Sequence, residues 1–138
     1  MLFPSDPKFK VKDYGLFQSV CRELERRGNK VDEVHLVNID RANVPEVYWN
    51  CDVMLLTSLS EGSPTVIKEA IAAKLPFVSV DVGDVKEWSR LVEFGVVVSD
   101  RDPETIADAV NALLTRIKDR RVLDNSECLE AMNIANIS

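Results

Sequence analysis

One histidine and three scattered cysteines are too few for a zinc centre. Cys21, Cys51 and Cys128 form no C-x-x-C pair, and the plain reading is buried, reduced thiols. No apolar run approaches the roughly 18–20 residues that a membrane-spanning helix needs, so no transmembrane segment is expected. The opening stretch, Met1 to Lys10, lacks a basic segment followed by an apolar core. No leader peptide is read from it, and the expected compartment is the cytoplasm. Positive charge is also short: 17 basic residues face 23 acidic ones, a net charge of −6. Such a chain offers no basic face for nucleic acid, so any anionic ligand must be held by a local feature. There are no repeats, no low-complexity stretch and no flexible linker. What is present is 138 residues, 46% hydrophobic and 29% charged, enough for about one soluble globular domain.

Two hydrophobic periods alternate along the chain. Leu2–Phe3 is a short apolar start before a loop with Pro4 and Pro7. Leu16, Phe17, Val20, Cys21 and Leu24 put one apolar stripe on a helix over 13–27, ended by Gly28–Asn29. Val34 to Ile39 reads as a strand, and Val44 to Asn50 as a short helix with Pro45 in its first turn. Val53 to Leu56 is a continuous apolar run, the mark of a strand buried on both faces. The spacing then predicts a helix over 64–73, a strand over 77–80, a helix over 85–92 and a strand over 96–98. Asp102 and Pro103 suit the N-cap and first position of the clearest helix, whose buried face is Ile106, Ala109, Val110, Leu113, Leu114 and Ile117. Residues 1–120 thus form one domain, and 121–138 a tail that is either one more helix or loose. Strand and helix in alternation imply an α/β fold: a Rossmann-like, doubly wound parallel sheet of about five strands, order 2-1-3-4-5, with helices on both faces. Ligands bind outside the carboxyl ends of such strands, so the loops after Phe3, Leu56 and Val80 matter most.

The loop after Leu56 ends in Gly62, Ser63 and Pro64 before a helix. Gly62 suits close backbone approach or a positive φ, Ser63 an N-cap, and Pro64 the first helical position. Free amide groups and the dipole at such a start attract an anion, phosphate being a natural guest. A plain capped helix fits the same residues. Glu61 precedes the helix, and Glu69 follows eight residues later. Each carboxylate can accept from two neighbouring hydroxyls, as on a hexose or a ribose, or can simply be solvated. Lys8, Lys10 and Lys12 put a local positive spot after the first strand, either for phosphate or as a solvated loop. Gly83, after the 77–80 strand, is a point of backbone approach or a turn glycine. His35 and Trp88 read as structural.

Together these loops resemble the carboxyl-terminal donor domain of the group 1 glycosyltransferases (family 4). The resemblance rests on Asp52 to Ala70, with the family's E-x7-E element at Glu61 and Glu69, and on Leu75–Pro76 through Gly83. It extends over roughly residues 1 to 118. It implies half of a GT-B fold, in which a nucleotide-diphospho-sugar binds mainly to this domain. By resemblance Glu61 contacts the donor sugar, Glu69 the ribose, and Lys12 the diphosphate. Backbone around Gly62, Ser63, Pro64 and Thr65 lines the sugar-phosphate site. Glu61 and Lys12 are the residues bearing on the reaction, which retains anomeric configuration and uses neither cofactor nor metal.

Two features depart from the family pattern. The arginine usually found ahead of that lysine is missing, with Lys8 or Lys10 as substitutes lacking its fork. The amino-terminal acceptor domain is also absent from the sequence. The expectation is therefore a donor-binding domain inactive alone, with the missing domain or another chain as partner. A stand-alone nucleotide-sugar-binding module and a subunit of a split transferase are the alternatives. Sugar-nucleotide epimerases share the architecture but not the pattern around Glu61. The donor is a UDP-, GDP- or ADP-sugar, with no decisive signature for the base.

Overall fold

A computed structural model describes residues 1–118. The possible helix in the 121–138 tail, and Cys128 with it, lie outside the described residues. The elements run β1 (Leu2–Phe3), α1 (Tyr14–Arg26), β2 (Val34–His35), α2 (Val44–Asn50), β3 (Met54–Leu56), α3 (Thr65–Ala73), β4 (Phe77–Val80), α4 (Val85–Ser89) and β5 (Gly95–Val98). A further helix, α5, covers residues 103–118 of the described chain. All strand pairs are parallel and the order is β2-β1-β3-β4-β5, as the alternation of periods predicts. The fold is an α/β, Rossmann-like sheet surrounded by helices. No helix among the described residues is long and apolar enough to cross a membrane.

The central strands are apolar because both their faces are covered. Leu2, Phe3, Met54, Leu55, Leu56, Phe77 and Val78 are all buried. Right-handed crossovers that reverse direction at β1 put α1 on one face and α2, α3 and α4 on the other. Phe17, Val20 and Leu24 of α1 and Ile67 and Ala70 of α3 fill the two layers. Ile106, Ala107, Val110 and Leu113 are the buried residues of α5, and Ala109, Leu114 and Ile117 are half-covered. Arg27 ties α1 to α5, donating to Asp108 Oδ1 at 2.6 Å. Asp102 caps α5 as expected, its Oδ1 accepting from the Glu104 amide at 3.3 Å.

Most boundaries fall within a residue of the sequence expectation, and three of the differences have a local reason. The 34–39 strand stops at His35. Its neighbour among the described residues, β1, runs into Pro4, which has no N–H to continue the ladder, and residues 36–43 turn away. The 85–92 helix stops at Ser89, whose hydroxyl donates to the Lys86 carbonyl at 2.8 Å and competes with the helical amide pattern. At α3, Pro64 occupies the N-cap position in extended conformation and Thr65 begins the helix. Ser63 is not the cap, because its hydroxyl donates instead to Asp84 Oδ2 at 2.8 Å.

The carboxyl edge of the sheet is stitched together by polar contacts. Asp13 takes the left-handed conformation (φ 49°), which a short polar side chain tolerates, and caps α1 by accepting from the Leu16 amide. The buried Thr57 hydroxyl reaches the Lys12 and Asp13 carbonyls, both at 2.9 Å. Arg101 completes the join, donating to Asp13 Oδ2 at 2.6 Å, to the Thr57 carbonyl at 2.7 Å and to the Ser58 carbonyl at 3.1 Å. Gly83 has φ +51°, and a Cβ there would lie 2.1 Å from the Gly62 carbonyl oxygen.

Two substitutions check this edge. Arg101→Ala removes the tie between α1 and the loop after β3. It is expected to cost about 1–2 kcal/mol, read as a melting temperature lower by about 3–8 °C, with Arg101→Lys recovering only part. Gly83→Ala combines a disfavoured φ with a steric overlap and is expected to cost about 2 kcal/mol or more in denaturant unfolding. An unchanged midpoint for either variant contradicts the join described here.

Candidate functional site

The loops after β1, β3 and β4 meet at one end of the sheet. The Leu59 amide donates to the Val11 carbonyl at 2.8 Å, joining the first two. The Asp84 amide donates to the Gly62 carbonyl at 3.3 Å, joining the second and third. The convergence follows from sheet order, since β1, β3 and β4 are neighbours.

Lys12 and Glu61, 49 residues apart in sequence, form an ion pair at this junction. The lysine is placed by the 3₁₀ turn Lys10–Lys12 and by Thr57 holding its carbonyl. Glu61 Oε1 also accepts from the buried Ser58 hydroxyl at 2.9 Å. Both side chains are mostly covered, at 27% and 15% exposure, so they interact more strongly than a solvated pair. Of the three loop lysines, Lys12 is the one brought to Glu61. Lys8 lies 3.6 Å from Asp6 and over the Phe9 ring, and Lys10 is exposed.

The start of α3 adjoins this pair. Its N-cap position has no side-chain cap, because proline has none to offer. The Ile67 amide closes on the Pro64 carbonyl at 3.1 Å, and the first amides of the helix, with no side-chain cap, present partial positive charge. Gly62 departs from expectation: it has no positive φ, and a Cβ there would meet nothing within 4 Å. Close backbone approach belongs to Gly83, against which the Glu61 and Gly62 carbonyls pack. Ser63, hydrogen-bonded to Asp84, holds that carboxyl below its usual range. Thr65 is exposed on the first turn of α3.

Glu69 lies apart from this junction, on the flank of a groove of about 930 Å³. The groove runs between the loop after β2, α2 and α3, and Leu36, Ile39, Val44, Trp49 and Val66 give it apolar walls. Asp40 and Arg41 also line it. Tyr48, buried beneath, donates to Glu69 Oε2 at 2.8 Å. Burial first, and the bond to Glu69 second, push the phenol well above its ordinary pKa, so it remains a donor. The sequence pattern reads 36–39 as strand and assigns no role to residues 40–43, Tyr48 or Arg101. A tyrosine in an otherwise apolar helix face, and charged residues between a strand end and a helix, were the available signals. His35 and Trp88 are packing residues as expected. His35 sits 5.2 Å edge-on to Tyr14, and Lys68 lies 5.1 Å over the Trp88 ring.

Cys21 is a buried free thiol, pushed up to about 12 by burial, and Cys51 is half-buried. Neither approaches the site's ion pair in any contact of the described residues.

Comparison with known proteins bears on this arrangement directly. The family described as glycosyl transferases group 1 matches residues 14–116. Glu61, Glu69, Tyr48, Gly83 and Arg101 fall inside that span, and Lys12 lies just before it. No curated protein matches the chain. A family match over most of the sequence, on a five-stranded parallel sheet whose loops converge at the carboxyl edge, shows that the chain belongs to the glycosyl transferases group 1 family.

Proposed function

We propose that this domain binds a nucleotide-diphospho-sugar across its carboxyl edge and serves transfer of the sugar with retention of configuration. The observation that carries the proposal is the pairing of Lys12 with Glu61 beside the uncapped start of α3. Cation and helix amides suit a diphosphate, and a carboxylate suits sugar hydroxyls. In the free domain Lys12 and Glu61 neutralise each other. On binding, Lys12 turns to the diphosphate and Glu61 to the sugar, so the two ends of one ligand replace the internal pair.

The groove beside Glu69 has the size and apolar lining of a nucleoside site. There Glu69 accepts from the ribose hydroxyls and the apolar walls cover the base. As the sugar–phosphate bond breaks, negative charge grows on the leaving diphosphate. Lys12, turned to the diphosphate on binding, and the α3 amides would stabilise that charge. No metal is assigned a step.

Calorimetric titration with UDP, GDP, ADP and their diphospho-sugars tests this reading. One nucleotide is expected to bind saturably, about tenfold or more weaker in Lys12→Ala and in Glu69→Ala. The Lys12→Ala variant is expected to lose most of the salt dependence of binding. Glu61→Gln is expected to weaken the diphospho-sugar more than the bare diphosphate, because only the former offers sugar hydroxyls. Equal effects on both ligands, or affinity indifferent to Lys12 and Glu69, overturn the assignment.

A further inference from the structure

We propose that Tyr48 is a positioning residue for Glu69, and that it sets the preference of the groove for a ribose over a deoxyribose ligand. The inference rests on the nucleoside-site reading above and deepens it. Tyr48 is 1% exposed, on the face of α2 turned to α3. Packing alone asks only for an aromatic ring there, which phenylalanine would supply. The buried hydroxyl is a further polar group that must be satisfied, and its partner is Glu69 Oε2.

That bond changes what Glu69 can do. A carboxylate on a helix surface samples several rotamers, and ordering it on binding costs affinity. Here Tyr48 comes from a different helix and holds one oxygen at 2.8 Å. No other group among the described residues bonds to Glu69, so Oε1 is left for a ligand in the groove that Glu69 and Tyr48 both line. A phenol fixed by burial and a carboxylate fixed by the phenol make an acceptor that is aimed before ligand arrives. Such an acceptor rewards vicinal hydroxyls and is left unpaired by a ligand that lacks them. α2 is itself held by Pro45 in its first turn, and the Cys51 amide closes its end on the Tyr48 carbonyl at 3.3 Å.

The test uses whichever of UDP, GDP and ADP binds, beside its 2′,3′-dideoxy counterpart, on the wild type, Tyr48→Phe and Glu69→Gln. The wild type is expected to prefer the ribose form by about tenfold or more. Tyr48→Phe, folded by circular dichroism, is expected to cut that preference to about threefold or less while leaving affinity for the dideoxy form nearly unchanged. Glu69→Gln is expected to lose the preference as well. If Glu69→Gln loses it and Tyr48→Phe keeps it, the positioning role is overturned and the ribose reading stands. Equal weakening of both ligands by Tyr48→Phe marks a packing role and also overturns it. A wild type that binds both forms alike overturns the ribose reading and this inference together.

Discussion

Asp13 sits in a left-handed turn between the lysine loop and α1, and three parts of the molecule hold it there. Its own carboxylate caps the helix, the Thr57 hydroxyl binds its carbonyl, and Arg101 grips its second carboxylate oxygen. Because Lys12 is the residue before it, this one position decides where that ammonium lies. Because Arg101 also holds the Thr57 and Ser58 carbonyls, the same grip decides where the loop carrying Glu61 begins. The pairing of Lys12 with Glu61 is thus a consequence of a polar join between three loops. An apolar core alone would bring these loops near each other without fixing their side chains.

The proposed site would let an acidic chain hold an anion without a basic surface. It uses one mostly covered lysine and a helix start, both strengthened by a low local dielectric. The internal carboxylate keeps that lysine neutralised while the site is empty. This arrangement favours a ligand that supplies an anion and a hydroxyl-bearing group together. On the proposed reading, Glu69 and its groove take a third part of the ligand.

Much of this was legible in sequence, for identifiable reasons. Met54–Leu56 is wholly apolar and Phe77–Val80 apolar except for Ser79, because both faces are covered, so their composition announces the parallel sheet. Glu61 and Glu69 bracket a helix start within eight residues, close enough for local spacing to be informative. What could not be read were the contacts set by distant partners. Ser63 has the chemistry of a cap, but Asp84, 21 residues on, takes its hydroxyl. Arg101 precedes an obvious helix signal and looks like loop, while its partner Asp13 lies 88 residues earlier. Gly62 and Gly83 both read as points of close backbone approach. Only the packing of the two loops shows that Gly83 carries the steric requirement.

The central claim is that the loop junction of Lys12 and Glu61 and the groove beside Glu69 hold two parts of one ligand. Mapping amide chemical shifts while a nucleoside diphosphate is titrated tests it most directly. The account predicts perturbations concentrated at residues 10–13, 57–66 and 83–84 and along 36–49. Shifts gathered instead at β5 and the amino-terminal ends of the strands, with Lys12 and Glu69 silent, would contradict it.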